Sequence, residues 1–275
     1  MARMAIRPQA HGMITRRRVI AAGAGLLAGA AVAVGAKSVA TSVVKSLYGK
    51  PSFFRGVAMR AGATTTTQDA VIKAAARLFP KKLPGKVTIV RHAGIKAAAA
   101  VPPTGSIQRL ALGLTKWAGK DTAPVRKGLR QMGRAFQRTI LEQTGAKIPV
   151  RKLMGRKTMI VQPAFNPAAN SLLERFMGSP FALSHELGHA TRPMGLLGRI
   201  AYKFTPYRMV EEARATFHGA RITRKAGGSW GEIGAGTVLN LGSHIGHTPT
   251  RYTLGAGAGY GTYKAIDYKK KRKRA

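Results

Sequence analysis

His185-Glu186-Leu187-Gly188-His189 lies in a segment whose two ends both dictate a short helix. Ser179 is a good N-cap residue, and Pro180 suits the first helical position, where its missing N–H leaves nothing unsatisfied. The helix is expected to stop near Arg192, before Pro193. On such a helix His185 and His189 stand one turn apart and project from one face, within reach of one ion. Glu186 lies about 100° round from His185, where it can meet a metal-bound water without being a ligand. Thr205-Pro206 repeats the opening device and starts a helix that runs to Gly227-Gly228. That helix carries Glu211-Glu212-Ala213-Arg214-Ala215-Thr216.

Composition sharpens the reading. The chain has 275 residues, 47 Lys plus Arg, 9 Asp plus Glu and a net charge of +38. A field of that sign attracts phosphate, anionic lipid and acidic polymers. With no cysteine, a disulfide scaffold, an iron–sulfur cluster and a thiol nucleophile are excluded. Any metal must therefore sit on His, Asp or Glu. With 7 His and six Glu in the chain, random placement would give His-Glu-x-x-His about 0.004 times. No phosphate-binding P-loop or dinucleotide fingerprint follows a convincing strand, and no alternating basic and aromatic RNA-binding module is present.

The spacing of residues 185–189 is the HExxH arrangement of zinc metallopeptidases. Together with the acidic downstream helix it resembles the gluzincins, the thermolysin-like branch of the zincins, over roughly residues 157–226. The resemblance implies an α+β, mostly helical, zincin-like metallopeptidase domain that binds Zn2+ and hydrolyses peptide or protein substrates. It implies His185 and His189 as ligands, with a glutamate in an E-x-x-small context as the third. Glu212 fits that context through Ala215, whereas Glu211 would place Arg214 there and is the candidate for a supporting partner. Glu186 is the implied general base. Thr216 stands where many family members carry an acid that supports a histidine ligand, so the support is left open here. Family members also hold extended substrate on an edge strand ahead of the helix, for which residues 158–162 (TMIVQ) are the candidate. For an oxyanion donor His244, His247, Tyr202 and Tyr207 are available. His218 falls about 240° round from Glu212 and is expected to face elsewhere, and His11 and His92 have no supporting context.

The rest of the chain divides into a basic N-terminus with an apolar segment (1–45), the metallopeptidase domain (46–226) and a Gly-rich region with a basic tail (227–275). Residues 19–36 carry no charge; as a helix they span roughly 27 Å. They read as a membrane anchor, as an export signal following Arg16-Arg17-Arg18, or as a buried Ala-rich helix. Ala21, Gly25, Gly29 and Ala33 would give that helix a small-residue packing face. Residues 50–66 read as irregular. Helices are expected over 67–79, 106–118, 125–143 and 171–177, and strands over 86–91, 148–153 and 158–161. Residues 227–263 read as a membrane-inserted helical hairpin or an unstructured tail, with Thr248-Pro249 a candidate helix start. The block 269–274 suits anionic lipid, nucleic acid or nuclear import. Two alternatives to a peptidase at a membrane stand beside it. One is a basic structural protein associated with membrane and nucleic acid, such as an internal virion component, with an inactive or accessory metal site. The other is a cell-wall peptidase.

Overall fold

The computed structural model describes residues 16–272 apart from 93, 102, 154, 156, 193–204 and 246–247. The first half of the chain runs α1 (Arg16–Leu47), α2 (Arg55–Gly62), α3 (Gln68–Leu78), β1 (Val87–His92), β2 (Ala99–Val101), α4 (Gly105–Trp117) and α5 (Ala123–Thr144). It continues α6 (Val150–Leu153), β3 (Thr158–Pro163), α7 (Leu172–Met177), α8 (Pro180–Ala190), α9 (Thr205–Lys225), α10 (Trp230–Ile245) and α11 (Thr248–Arg272). The described residues are mostly helical with one three-stranded sheet.

Caps fix the key helix starts. The Ser179 hydroxyl accepts from the Ala182 N–H at 3.2 Å to open α8, and the Thr67 hydroxyl accepts from the Ala70 N–H at 3.1 Å to open α3. Gly227 takes a φ of +94° just beyond α9, a conformation open to glycine and costly for other residues. Residues 50–66, read as irregular, contain α2, and the segment 148–153, read as a strand, instead carries the short helix α6 over Val150–Leu153. Ile148 and Leu153 are buried, so their apolarity signals burial, while Pro149 has no N–H to give to a ladder.

The strand order is β1-β3-β2, with β1 parallel to β3 and β2 antiparallel to it. The stretch 158–162 is therefore the central strand, not the edge; β3 is paired on both sides and buried along its whole length. β2 holds an edge place instead. Its Ala-Ala-Val sequence has little strand propensity and pairs because β3 is beside it.

Contacts divide the chain into two units, residues 1–38 with 247–275, and residues 39–246. In the first unit α1 meets α11 through glycines. A Cβ on Gly25 would stand 2.7 Å from the Gly259 carbonyl oxygen, and one on Gly29 2.6 Å from that of Gly255. The small-residue face read at 21, 25, 29 and 33 is thus a packing face. Leu26 and Leu27 point away from it and are exposed. Residues Val19–Leu47 are apolar and long enough to cross a membrane by length and composition.

The second unit extends past residue 226, because α10 belongs to its core. Gly236 lets α10 close onto the Phe181 ring, and Gly242 gives room to Val43. Gly236 and Gly242 are therefore packing residues of a helix, not signs of a tail. Phe181, Ile233 and Leu239 share one apolar cluster with Val43 and Leu47. Leu183, Leu187 and Ala190 share another with Ile160 and Ile222, while Met159 and Val161 face a third. Helix α8 runs between the first two clusters and is buried apart from the half-buried Glu186 and His189. Its neighbour α9 comes close at two glycines. A Cβ on Gly188 would strike the Ala215 backbone, and one on Gly219 would stand 3.0 Å from His185 Cα.

Candidate metal centre

That close approach sets the site. The E-x-x-small relation places Glu212 one turn before Ala215, so the contact at Gly188 and Ala215 brings the Glu212 carboxylate to the two histidines of α8. Glu212 Oε2 lies 3.4 Å from His185 Nε2 and 3.3 Å from His189 Nε2. The two Nε2 atoms are 3.1 Å apart, with the rings edge to face. These three residues form a group that can hold a metal ion, with every ligand atom within 4.8 Å of the others. Burial is deep, at 5% exposure for His185 and 4% for Glu212.

The charges fit that burial. Burial alone would raise the Glu212 carboxyl, but hydrogen bonds to His185 and His189, with the charges of His189 and His244, hold it well below the carboxylate range. Burial alone would lower His189; the bond to Glu212 and the negative charges of Glu186 and Glu212 outweigh it and raise the imidazole above 6.5. The result is an anionic oxygen ringed by imidazole nitrogens.

Glu211 turns away from this centre. Its Oε2 accepts from Arg214 Nη2 at 2.8 Å and Nε at 3.0 Å. The same guanidinium donates through Nη1 to Thr191 Oγ1 at 3.0 Å. Glu211, 1% exposed, thus ties α9 to the C-terminal end of α8 through Arg214.

Two polar residues lie behind His185. The Asn240 amide nitrogen stands 2.9 Å from His185 Nδ1 and 2.9 Å from Thr216 Oγ1, and Thr216 Oγ1 is 3.3 Å from Nδ1. Thr216 thus touches the ligand candidate after all, with Asn240 beside it. Asn240 escapes the sequence reading because it lies in a Gly-rich stretch. The available signal is that Asn240 and His244 are four apart and share a helix face.

A cavity of about 610 Å³ opens over the site, with Glu186, His185, His189 and Glu212 on its wall. Leu47, Phe176, Phe181 and Leu239 make its apolar side, and Ala98 and Ala100 bring the β2 strand to its rim. His244 also lines it, with Nε2 3.3 Å from Glu212 Oε2. Tyr207 is not on this wall; His11, Tyr202 and His247 lie outside the described residues. His218 packs edge-on against Phe79, away from Glu212 as its helical angle requires. His92 sits on β1 opposite Pro163.

Comparisons with protein-family models, curated proteins and solved structures give no match to this chain.

Proposed function

We propose that this chain is a membrane-associated zinc-dependent peptidase, in which His185, His189 and Glu212 hold the ion and Glu186 is the general base. The observation that carries the reading is the buried convergence of those three side chains from α8 and α9, with Glu186 on the wall of the same cavity. Ligands about 2.0–2.1 Å from a tetrahedral zinc stand about 3.3 Å from one another. The donor separations here are 3.1, 3.3 and 3.4 Å, and two imidazoles with one carboxylate are a common catalytic donor set.

When bound, zinc lowers the pKa of a water and polarises a carbonyl. The chain's own groups do the rest. Glu186 takes the water proton and passes it to the leaving amine. Of the two described residues among the donors considered from sequence, His244 lines the cavity and Tyr207 does not, and His244 is the group to donate to the oxygen that gains charge. Ligation through His185 Nε2 requires a proton on Nδ1; with the Asn240 amide turned over, so that its oxygen takes the place of the nitrogen 2.9 Å from Nδ1, that proton has an acceptor and the tautomer is fixed. The apolar wall takes an apolar side chain beside the scissile bond, and the β2 edge offers backbone pairing to an extended peptide. Residues 19–36 supply the membrane attachment.

Metal content measured by mass spectrometry on the full chain tests this. About one zinc per chain is expected, lost or weakened in His189→Ala and in Glu212→Ala. Glu186→Gln is expected to keep the zinc and to abolish hydrolysis of a peptide library. No zinc in a folded, metal-supplemented sample overturns the site, and hydrolysis by Glu186→Gln overturns the mechanism.

A further inference from the structure

Helix α4 leaves apolar side chains on its outside. Gln108, Ala111, Leu112 and Thr115 are half-buried and face inward, yet Leu110, Leu114 and Trp117 are 52%, 57% and 87% exposed. Their spacing of four and three puts them on one line along the helix. Arg109 and Lys116 are exposed on a second line about 100° away. The following helix, α5, buries Gly133 and Ile140 and exposes Arg126, Arg130, Arg134 and Arg138 at one-turn intervals. On these two helices the one acid is Glu142.

We propose that this exposed face of α4 lies in the headgroup region of an anionic lipid bilayer, with Leu110, Leu114 and Trp117 dipped toward the acyl chains. An apolar stripe flanked by basic residues is the pattern of a helix lying in the membrane interface, and tryptophan is an interfacial residue. Charge complementarity selects this occupant. Pairing the stripe with that of a second copy would bring the Arg109 and Lys116 lines of two strongly cationic chains together. A nucleic acid would meet two leucines, which do not stack on bases, and one tryptophan. Anionic headgroups neutralise the basic line while the acyl region takes the leucines. The inference does not depend on the metal site or on whether residues 19–36 span a membrane.

The chain has two tryptophans, Trp117 and Trp230, so full-length Trp230→Phe carries one reporter on this face. It would be reconstituted into vesicles of equal parts phosphatidylglycerol and phosphatidylcholine, with and without brominated acyl chains, and into pure phosphatidylcholine. Strong quenching by the brominated lipid is expected, with protection from aqueous acrylamide and a weaker effect of both kinds without phosphatidylglycerol. Adding Leu110→Glu and Leu114→Glu should restore acrylamide access while circular dichroism stays unchanged. Trp117 open to acrylamide and untouched by brominated lipid overturns the proposal. So does protection from both quenchers, which would mean a second copy covers the stripe. A response to single-stranded oligonucleotide without any to brominated lipid would assign the face to nucleic acid and also overturn it.

Discussion

In the α8–α9 pair the backbones meet at Gly188 and Ala215 and the charges lie inside; in the α4–α5 pair the arginines lie outside and leucines face solvent. Both pairs come from one strongly basic chain, so average composition cannot explain the contrast. Three of the nine acids, Glu186, Glu211 and Glu212, sit on α8 and α9. The two that are fully buried each have a cationic or imidazole partner, Glu211 with Arg214 and Glu212 with His185 and His189. A buried charge persists when its partner is buried with it. On α4 and α5 the cations have almost no acids to meet, and the protein leaves them in water.

The sharpest way to break this contrast is to remove one inner partner. Arg214→Met leaves Glu211 as a carboxylate at 1% exposure with its guanidinium gone, and unfolding should show a loss of about 3–5 kcal/mol. An unchanged unfolding midpoint would mean that Glu211 does not depend on Arg214. A smaller effect is expected behind the histidine. Asn240→Leu removes the amide against His185 Nδ1, and competition with a chromophoric chelator should show metal affinity down about 10–100-fold. Asn240→Asp should restore the affinity or raise it, which a purely steric role for Asn240 would not do.

The pH dependence tests the same centre more gently. His189, raised above 6.5, contributes stability that is present below 6.5 and is lost as pH rises through its folded value. Glu212, lowered from 4.5, contributes stability that is present above 4.5 and is lost as pH falls through its own. Chelator-treated protein should therefore gain most from this pair between those two values, and its thermal midpoint should fall as pH climbs past 6.5. Metal-loaded protein should trend the other way, because the ion replaces the proton on His189. Parallel trends with and without metal would count against ligation. The smallest effect belongs to the outer pair. Leu110→Glu with Leu114→Glu should change stability in the absence of lipid by no more than about 0.5 kcal/mol and leave metal content unaltered. A large loss would mean that the stripe packs against protein.

What the sequence makes legible is local. Ser179 and Pro180 announce a helix start because a cap and a first-turn proline act within a few residues of themselves. Ala215 separates Glu212 from Glu211 because helix periodicity carries a glutamate and a small residue to the same face. Partners far along the chain are another matter. Residues 158–162 show their strand but not their place in the sheet, since the order depends on β1 and on the alanines of β2. The glycines at 236 and 242 resemble low complexity until Phe181 and Val43 are seen filling the space beside them. Asn240 shares that stretch and is hidden with it. Thr216 is visible as a departure from the gluzincin pattern, and its partner is not, because Asn240 comes from a helix beyond the recognisable motif.

The glycine contacts of α1 with α11 set an order in time. Gly25 and Gly29 are made well over two hundred residues before the residues they pack against, Gly259 and Gly255. Until α11 is made, the notched face of α1 lacks that partner, whatever the residues between them have already done. Closure of this helix pair waits for α11, and a chain released before α11 is complete keeps that groove open on α1.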